Sequence, residues 1–161
     1  MAVATTLDQW LLFLHVTSAG LFVAGAVVAG VAQIAALQRD RPSEIATLLR
    51  FARYGVVLVG IGSLGALAFG LWLAGYLSYG FGETWIALSI ALWVVSQALG
   101  GLGGRAARHA RERAEQLAAA GDEPDAELSA LVSHRPSLLL SYASTLAIVA
   151  ILILMIWKPG A

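Results

Sequence analysis

The sequence contains no cysteine. That excludes disulfides, iron–sulfur clusters, thiolate zinc sites and thiol nucleophiles together. Charge is scarce too: charged residues make up 12% of the chain, against about a quarter in a soluble domain. The ten basic and ten acidic residues leave a formal net charge of zero, so no global basic field would draw the chain to nucleic acid. Asp8 and Glu83 stand only at the edges of long apolar runs, and no carboxylate pair for acid–base chemistry or antiport lies inside them. No HExxH motif is present, and no Ser-His-Asp set is placed for proximity, so catalysis finds no support in the sequence. What is abundant is hydrophobic surface, at 59% of residues and a mean hydropathy of +0.79. This is the composition of an integral membrane protein.

The charge gaps mark four spans, at about 8–37, 55–79, 84–104 and 137–157, in a single membrane domain of residues 1–161. The expected fold is all-α: a polytopic four-transmembrane-helix bundle, with a solvated cytoplasmic helical hairpin at about 105–135 between the third and fourth spans. Within that connection the alanine-rich Ala106–Ala120 segment predicts a helix ended by Gly121, and Asp122 and Pro124 suit the start of a shorter helix reaching about Val132. Nine of the ten Lys and Arg residues fall in the first and third connections and their flanks. By the positive-inside rule these are cytoplasmic, with both termini outside in a bacterial inner (plasma) membrane. Trp10, Trp85 and Trp157 then gather at the outer interface, where indoles are favoured. The N-terminus MAVATTLDQW lacks a basic n-region and leads into an overlong apolar run, so the first helix is expected to be retained.

The segment GIGSLG, Gly60 to Gly65, spells the G-x-G-x-x-G template of dinucleotide-binding folds and has Glu83 about twenty residues on. A nucleotide turn needs a sheet and a soluble pyrophosphate. Neither is available in the middle of an apolar span, where backbone groups must be satisfied internally. Gly60, Gly62 and Gly65, like Gly20, Gly25 and Gly30 in the first span, are instead expected to allow close helix packing, within the chain or in a homo-oligomer or larger membrane complex. The LGGLGG run, Leu99 to Gly104, lacks the Lys-Ser or Lys-Thr ending of a P-loop and is expected to loosen or end the third helix.

His15 is the most chemically suggestive residue. About eight residues at 1.5 Å each place it roughly 12 Å below the outer end of its helix, and an ionisable group at that depth is a functional hypothesis by default. Helical periodicity sets His15 on one side with Ser18 and Gln33. Ser89, Trp93 and Gln97 gather similarly on the third span, and Ser141 and Thr145 on the fourth, giving candidate pocket-lining residues. Three roles follow for this interior. His15 can donate to a carbonyl or serine on a neighbouring helix; it can be a cofactor ligand, of haem or copper; or it can titrate in a proton or small-solute pathway. His134 and His109 lie near or beyond the opposite membrane face, which leaves single ligation, a partner such as Met155, or a site shared between chains.

The stretch LHVTSAGLFVAG and the ending MIWKPG at Met155 to Gly160 resemble the bacterial family of predicted four-helix integral membrane proteins that is distantly similar to the copper-resistance D (CopD-type) membrane domain. The resemblance implies a helical membrane bundle in which His15 matches the recurring first-helix histidine. The copper-resistance relatives carry further histidines in their spans, and this chain does not. The combined expectation is a small structural or accessory membrane component with a candidate ligand pocket around His15. The alternatives are a haem- or copper-binding redox or metal-handling protein and a small-solute or proton transporter. Lipid is the expected environment, and the arginines of the third connection are expected to meet anionic headgroups.

Overall fold

A computed structural model describes residues 6–79 and 83–159. The described residues form five helices, α1 (Leu7–Ala36), α2 (Pro42–Tyr76), α3 (Thr84–Ala120), α4 (Ala126–Val132) and α5 (Arg135–Trp157). Four helical segments are long and apolar enough to cross a membrane, as the charge gaps predict, and no strand occurs among the described residues. The helix starts are set locally. The Gln9 side-chain oxygen accepts from the Thr6 amide at 3.2 Å before α1, and Pro42 and Pro136 occupy first-turn positions where a missing N–H costs nothing. α3 stops at Gly121, whose φ of 136° a side chain would resist.

Two of the predicted boundaries move. α2 begins thirteen residues before Gly55, and α3 runs unbroken through LGGLGG to Ala120. At 1.5 Å per residue these helices are about 52 and 55 Å long, well beyond a 30 Å hydrocarbon core. Both therefore continue past the apolar region as rigid rods at the arginine-rich end. The glycine run does not end α3 because α5 packs on it. A Cβ at Gly103 would lie 2.6 Å from Ser141 Oγ and 2.9 Å from the Ser137 carbonyl.

The tightest pairing is α1 with α2. Leu11, Ser18, Gly25 and Ala32 recur every seven residues on the buried face of α1, interleaved with Phe22 and Ala36. This is the repeat of a coiled-coil seam. Glycines bring the backbones themselves into contact: a Cβ on Gly25 would lie 2.6 Å from the Gly55 carbonyl oxygen, and one on Gly55 would lie 2.6 Å from the Ala29 nitrogen. Gly62 meets the backbone of Phe22 more closely still. The second pair is α3 with α5, where Ser144 Oγ donates to the Ser96 carbonyl at 2.8 Å. α2 and α3 join the two pairs with a lighter contact.

The connection between α3 and α5 is the expected helical hairpin, formed by the end of α3 and α4, but one face of it is packed rather than solvated. Ala36, Ile45, Leu49, Ala110, Ala114 and Leu128 sit in one buried cluster that unites the end of α1, the start of α2, the far end of α3 and α4. Small alanines on α3 let α2 and α4 close over it, and Leu128 at 1% exposure fills the centre. Asp125 caps α4 by accepting from the Leu128 amide at 2.7 Å. Asp122, at φ 62° in the preceding turn, reaches across to α2 and accepts from both the amide and the hydroxyl of Ser43, each at 2.7 Å. These two bonds, with the positive charge of Arg41 behind them, hold the Asp122 carboxyl below its ordinary value of 3.8.

At the opposite end Ala74, Trp85 and Ile86 form a smaller buried cluster with Tyr79, Ile90 and Met155 packed on it. Trp10 and Trp157 are exposed there, but Trp85 is buried at 5% exposure, so it is a core residue and not a lipid-facing anchor. Lys158, at φ 42°, ends α5 and places its ammonium 5.4 Å from the ring centres of both Tyr79 and Trp85. This gives the lysine of the MIWKPG ending a packing role, while Trp157 before it stays exposed; Gly160 lies outside the described residues.

Candidate functional site around His15

His15 faces α2, half-buried, with Nδ1 2.9 Å from the backbone oxygen of Ala66. A carbonyl only accepts, so Nδ1 carries the proton, and in the neutral ring Nε2 keeps its lone pair. The helical partner of the Ala66 carbonyl is the residue four positions on, Gly70. Without a side chain there, the imidazole can lie against the helix: a Cβ at Gly70 would fall 2.8 Å from Cε1 and 2.9 Å from Nδ1. Gly70 extends the low-relief character of the second span in the sequence, but nothing there pairs it with His15. It shares the low-relief face of Gly62, two helical turns away.

One turn further along α1, Ser18 is buried against Gly65, whose Cβ would lie 2.6 Å from Ser18 Oγ. Gly55, Gly62, Gly65 and Gly70 thus form a continuous surface on α2 that receives α1, which meets it with Gly25, Phe22, Ser18 and His15. Gly20, Gly30 and Gly60 are not part of it, since a Cβ at any of the three would meet nothing within 4 Å. The GIGSLG segment is split by helical geometry: Gly62 and Gly65 face α1 and Gly60 faces away.

The other predicted lining residues do not converge on His15. Ser89 Oγ donates back to the Trp85 carbonyl at 2.7 Å, and Ser96 Oγ to the Trp93 carbonyl at 2.8 Å. Ser141 packs on Gly103 in the α3–α5 pair, and Thr145 is exposed, donating to the Ser141 carbonyl at 3.1 Å. Gln33 and Gln97 are half-buried on different helices. The Trp93 indole N–H is buried without a hydrogen-bond partner. Periodicity groups residues on one face of each helix, but it does not say which helix that face meets. α1 turns its polar face to α2, while α3 and α5 turn theirs to each other.

The remaining histidines stay apart from this site. His109 lies 3.9 Å from Glu112 on the α3 extension, and His134 Nδ1 is 2.9 Å from Ser137 Oγ at the start of α5. Met155 packs in the Trp85 cluster. Among the described residues no group of three or more His, Cys, Asp or Glu side chains is placed to hold a metal ion.

Four apolar helices long enough to cross a membrane, joined in two close pairs, with the hydroxyls of Ser63, Ser89, Ser96 and Ser144 bonded to helix carbonyls, define an integral membrane protein. The chain belongs to the family described as "Predicted integral membrane protein (DUF2269)", whose model matches residues 9–159. No curated protein and no solved structure matches it.

Proposed function

We propose that the chain is a structural or accessory component of a bacterial plasma membrane, presenting a rigid helical platform at its arginine-rich end. The observation that carries this reading is the use of His15. Its N–H is spent on the Ala66 carbonyl inside the glycine seam, where it fastens α1 to α2. The continuation of α2 and α3 into a packed core beyond the spans supports the platform. The same end carries nine of the ten Lys and Arg residues, which favours its placement in the cytoplasm with both termini outside. Affinity purification of the tagged protein from native membranes, in mild detergent after cross-linking, should recover a reproducible stoichiometric membrane partner or a homo-oligomer. Recovery of a lone monomer under cross-linking that captures known complexes would count against the accessory role.

A second reading has one specific observation in its favour. A histidine whose Nδ1–H is fixed by a backbone carbonyl is oriented and held in one tautomer, with Nε2 free as a single ligand to haem or copper. The four-helix family that LHVTSAGLFVAG resembles is distantly similar to the copper-resistance D domain, but the further span histidines of those relatives are lacking here, which weighs against copper. Absorption spectra and metal analysis of protein expressed with haem and copper supply decide this. A Soret band or stoichiometric copper lost on His15→Ala supports ligation, and colourless, metal-free protein rejects it.

A further inference from the structure

Eight of the nine arginines divide into two sets by position; the ninth, Arg41, lends its charge to Asp122 from the start of α2. Arg39 pairs with Glu44 at 3.5 Å, Arg50 with Glu115 at 3.3 Å, and Arg113 with Asp125 and Glu127 at 3.2 and 3.3 Å, while Arg111 lies 4.0 Å from Glu115. All of these lie on the surface around the packed core beyond the spans. Arg53, Arg105, Arg108 and Arg135 are exposed and have no ion-pair partner among the described residues. They are the charges nearest the uncharged stretches of α2, α3 and α5.

Packing brings these four to one level. The approach of Gly103 to the Ser137 carbonyl sets Arg105 and Arg135 just outside the α3–α5 contact. Leu49 and Ala110 share the buried cluster, so Arg53, one turn nearer the membrane on α2, and Arg108, two residues nearer on α3, stand just above it. No carboxylate occurs between Glu44 and Glu83 or after Glu127. At the margin where apolar surface gives way to water the fold thus leaves four guanidiniums without an ion pair, while farther out Arg39, Arg50, Arg111 and Arg113 have carboxylate partners and Arg41 lies behind the Asp122–Ser43 link. Exposed Tyr54 and Tyr142 accompany them, at the same margin of α2 and about two turns into α5.

We propose that Arg53, Arg105, Arg108 and Arg135 form a belt that binds the phosphates of anionic phospholipids. Guanidinium forks match phosphate oxygens in charge and geometry, and the acyl chains of the same lipids would lie along the exposed apolar faces of α2 and α5. A lipid meets both halves of this surface at once, as a free phosphate or an acidic peptide cannot.

The test uses the full chain purified in detergent and returned to nanodiscs or titrated with phosphatidylglycerol, phosphatidylcholine or inorganic phosphate. Retained lipid is counted by native mass spectrometry and stability followed by thermal unfolding. Phosphatidylglycerol should be retained over phosphatidylcholine, with about fivefold weaker retention for each Arg→Gln change in the belt and a loss of selectivity as salt rises. The paired-set double variant Arg39→Gln/Arg50→Gln should keep the selectivity. Equal retention of the two lipids would overturn the proposal. So would an equal response to inorganic phosphate, or equal losses from the paired and unpaired sets. Circular dichroism of each variant identifies any that fails to fold, in which case the single Arg135→Gln change, at an exposed helix start, carries the comparison.

Discussion

The α1–α2 seam and the core at the arginine-rich end are built from the same chain by opposite means. In the seam, contact is made by residues with almost no side chain: Gly25 lies against Gly55, and Gly62 against the backbone of Phe22. In the core, contact is made by side chains, with Ile45, Leu49, Leu128 and Val132 buried to 4% exposure or less over a floor of alanines. The surroundings explain the contrast. Lipid is as apolar as leucine, so helices within it gain little by hiding large side chains and associate through close van der Waals approach. In water, burying those side chains is itself the driving force. The difference teaches that small residues serve as the contact surface in one region and as clearance for larger neighbours in the other.

This contrast can be broken most severely at Gly62. Gly62→Leu would force a side chain into the Phe22 backbone, which cannot yield, and should cost more than about 3 kcal/mol in thermal unfolding in detergent, with loss of the folded form. Leu128→Ala tests the other region. It should cost about 2–5 kcal/mol of the docking of α4, read as faster trypsin cleavage after Arg111 and Arg113 while the spans stay folded.

The Asp122–Ser43 link should give a smaller, pH-dependent effect. Because the folded carboxyl titrates below its ordinary value, its stabilisation is present above that value and fades as pH falls through the lowered one. Asp122→Asn should therefore be weaker than the native chain at neutral pH, and the two should converge in strong acid. A constant gap across the whole pH range would remove the link from the account. His15→Ala removes one interhelical hydrogen bond and should cost about 0.5–1.7 kcal/mol, measured by the same unfolding. Gly60→Leu, two residues from Gly62 but facing open space, should change stability by less than about 0.5 kcal/mol; a cost as large as that at Gly62 would reveal a contact with a second chain.

The spans were legible because membrane insertion depends on length and hydropathy, which are local properties. So was the stop at Gly121, where a positive φ needs glycine, and so was the packing role open to the glycines of α1 and α2. The end of α3 was misjudged at LGGLGG for a physical reason. Glycine weakens an isolated helix, but here Gly100 and Gly103 receive Ser144 and Ser141, and that contact outweighs the local preference. The lining of His15 was only partly legible, because a helical wheel orders residues around one axis and carries no information about its neighbours.

The sequence by itself determined that this is a membrane protein of four apolar spans, that its basic residues collect at one end, and that a single histidine lies within a span. Those properties follow from composition and spacing along the chain. Tertiary structure alone decided that Gly62 is a contact and Gly60 is not, that His15 donates its Nδ1 hydrogen bond to the Ala66 carbonyl, and that the four arginines at the apolar margin lack an ion pair while Arg39, Arg50, Arg111 and Arg113 find carboxylates. Each of these depends on which helix faces which, and that choice is made by the fit of whole surfaces across residues far apart in the chain.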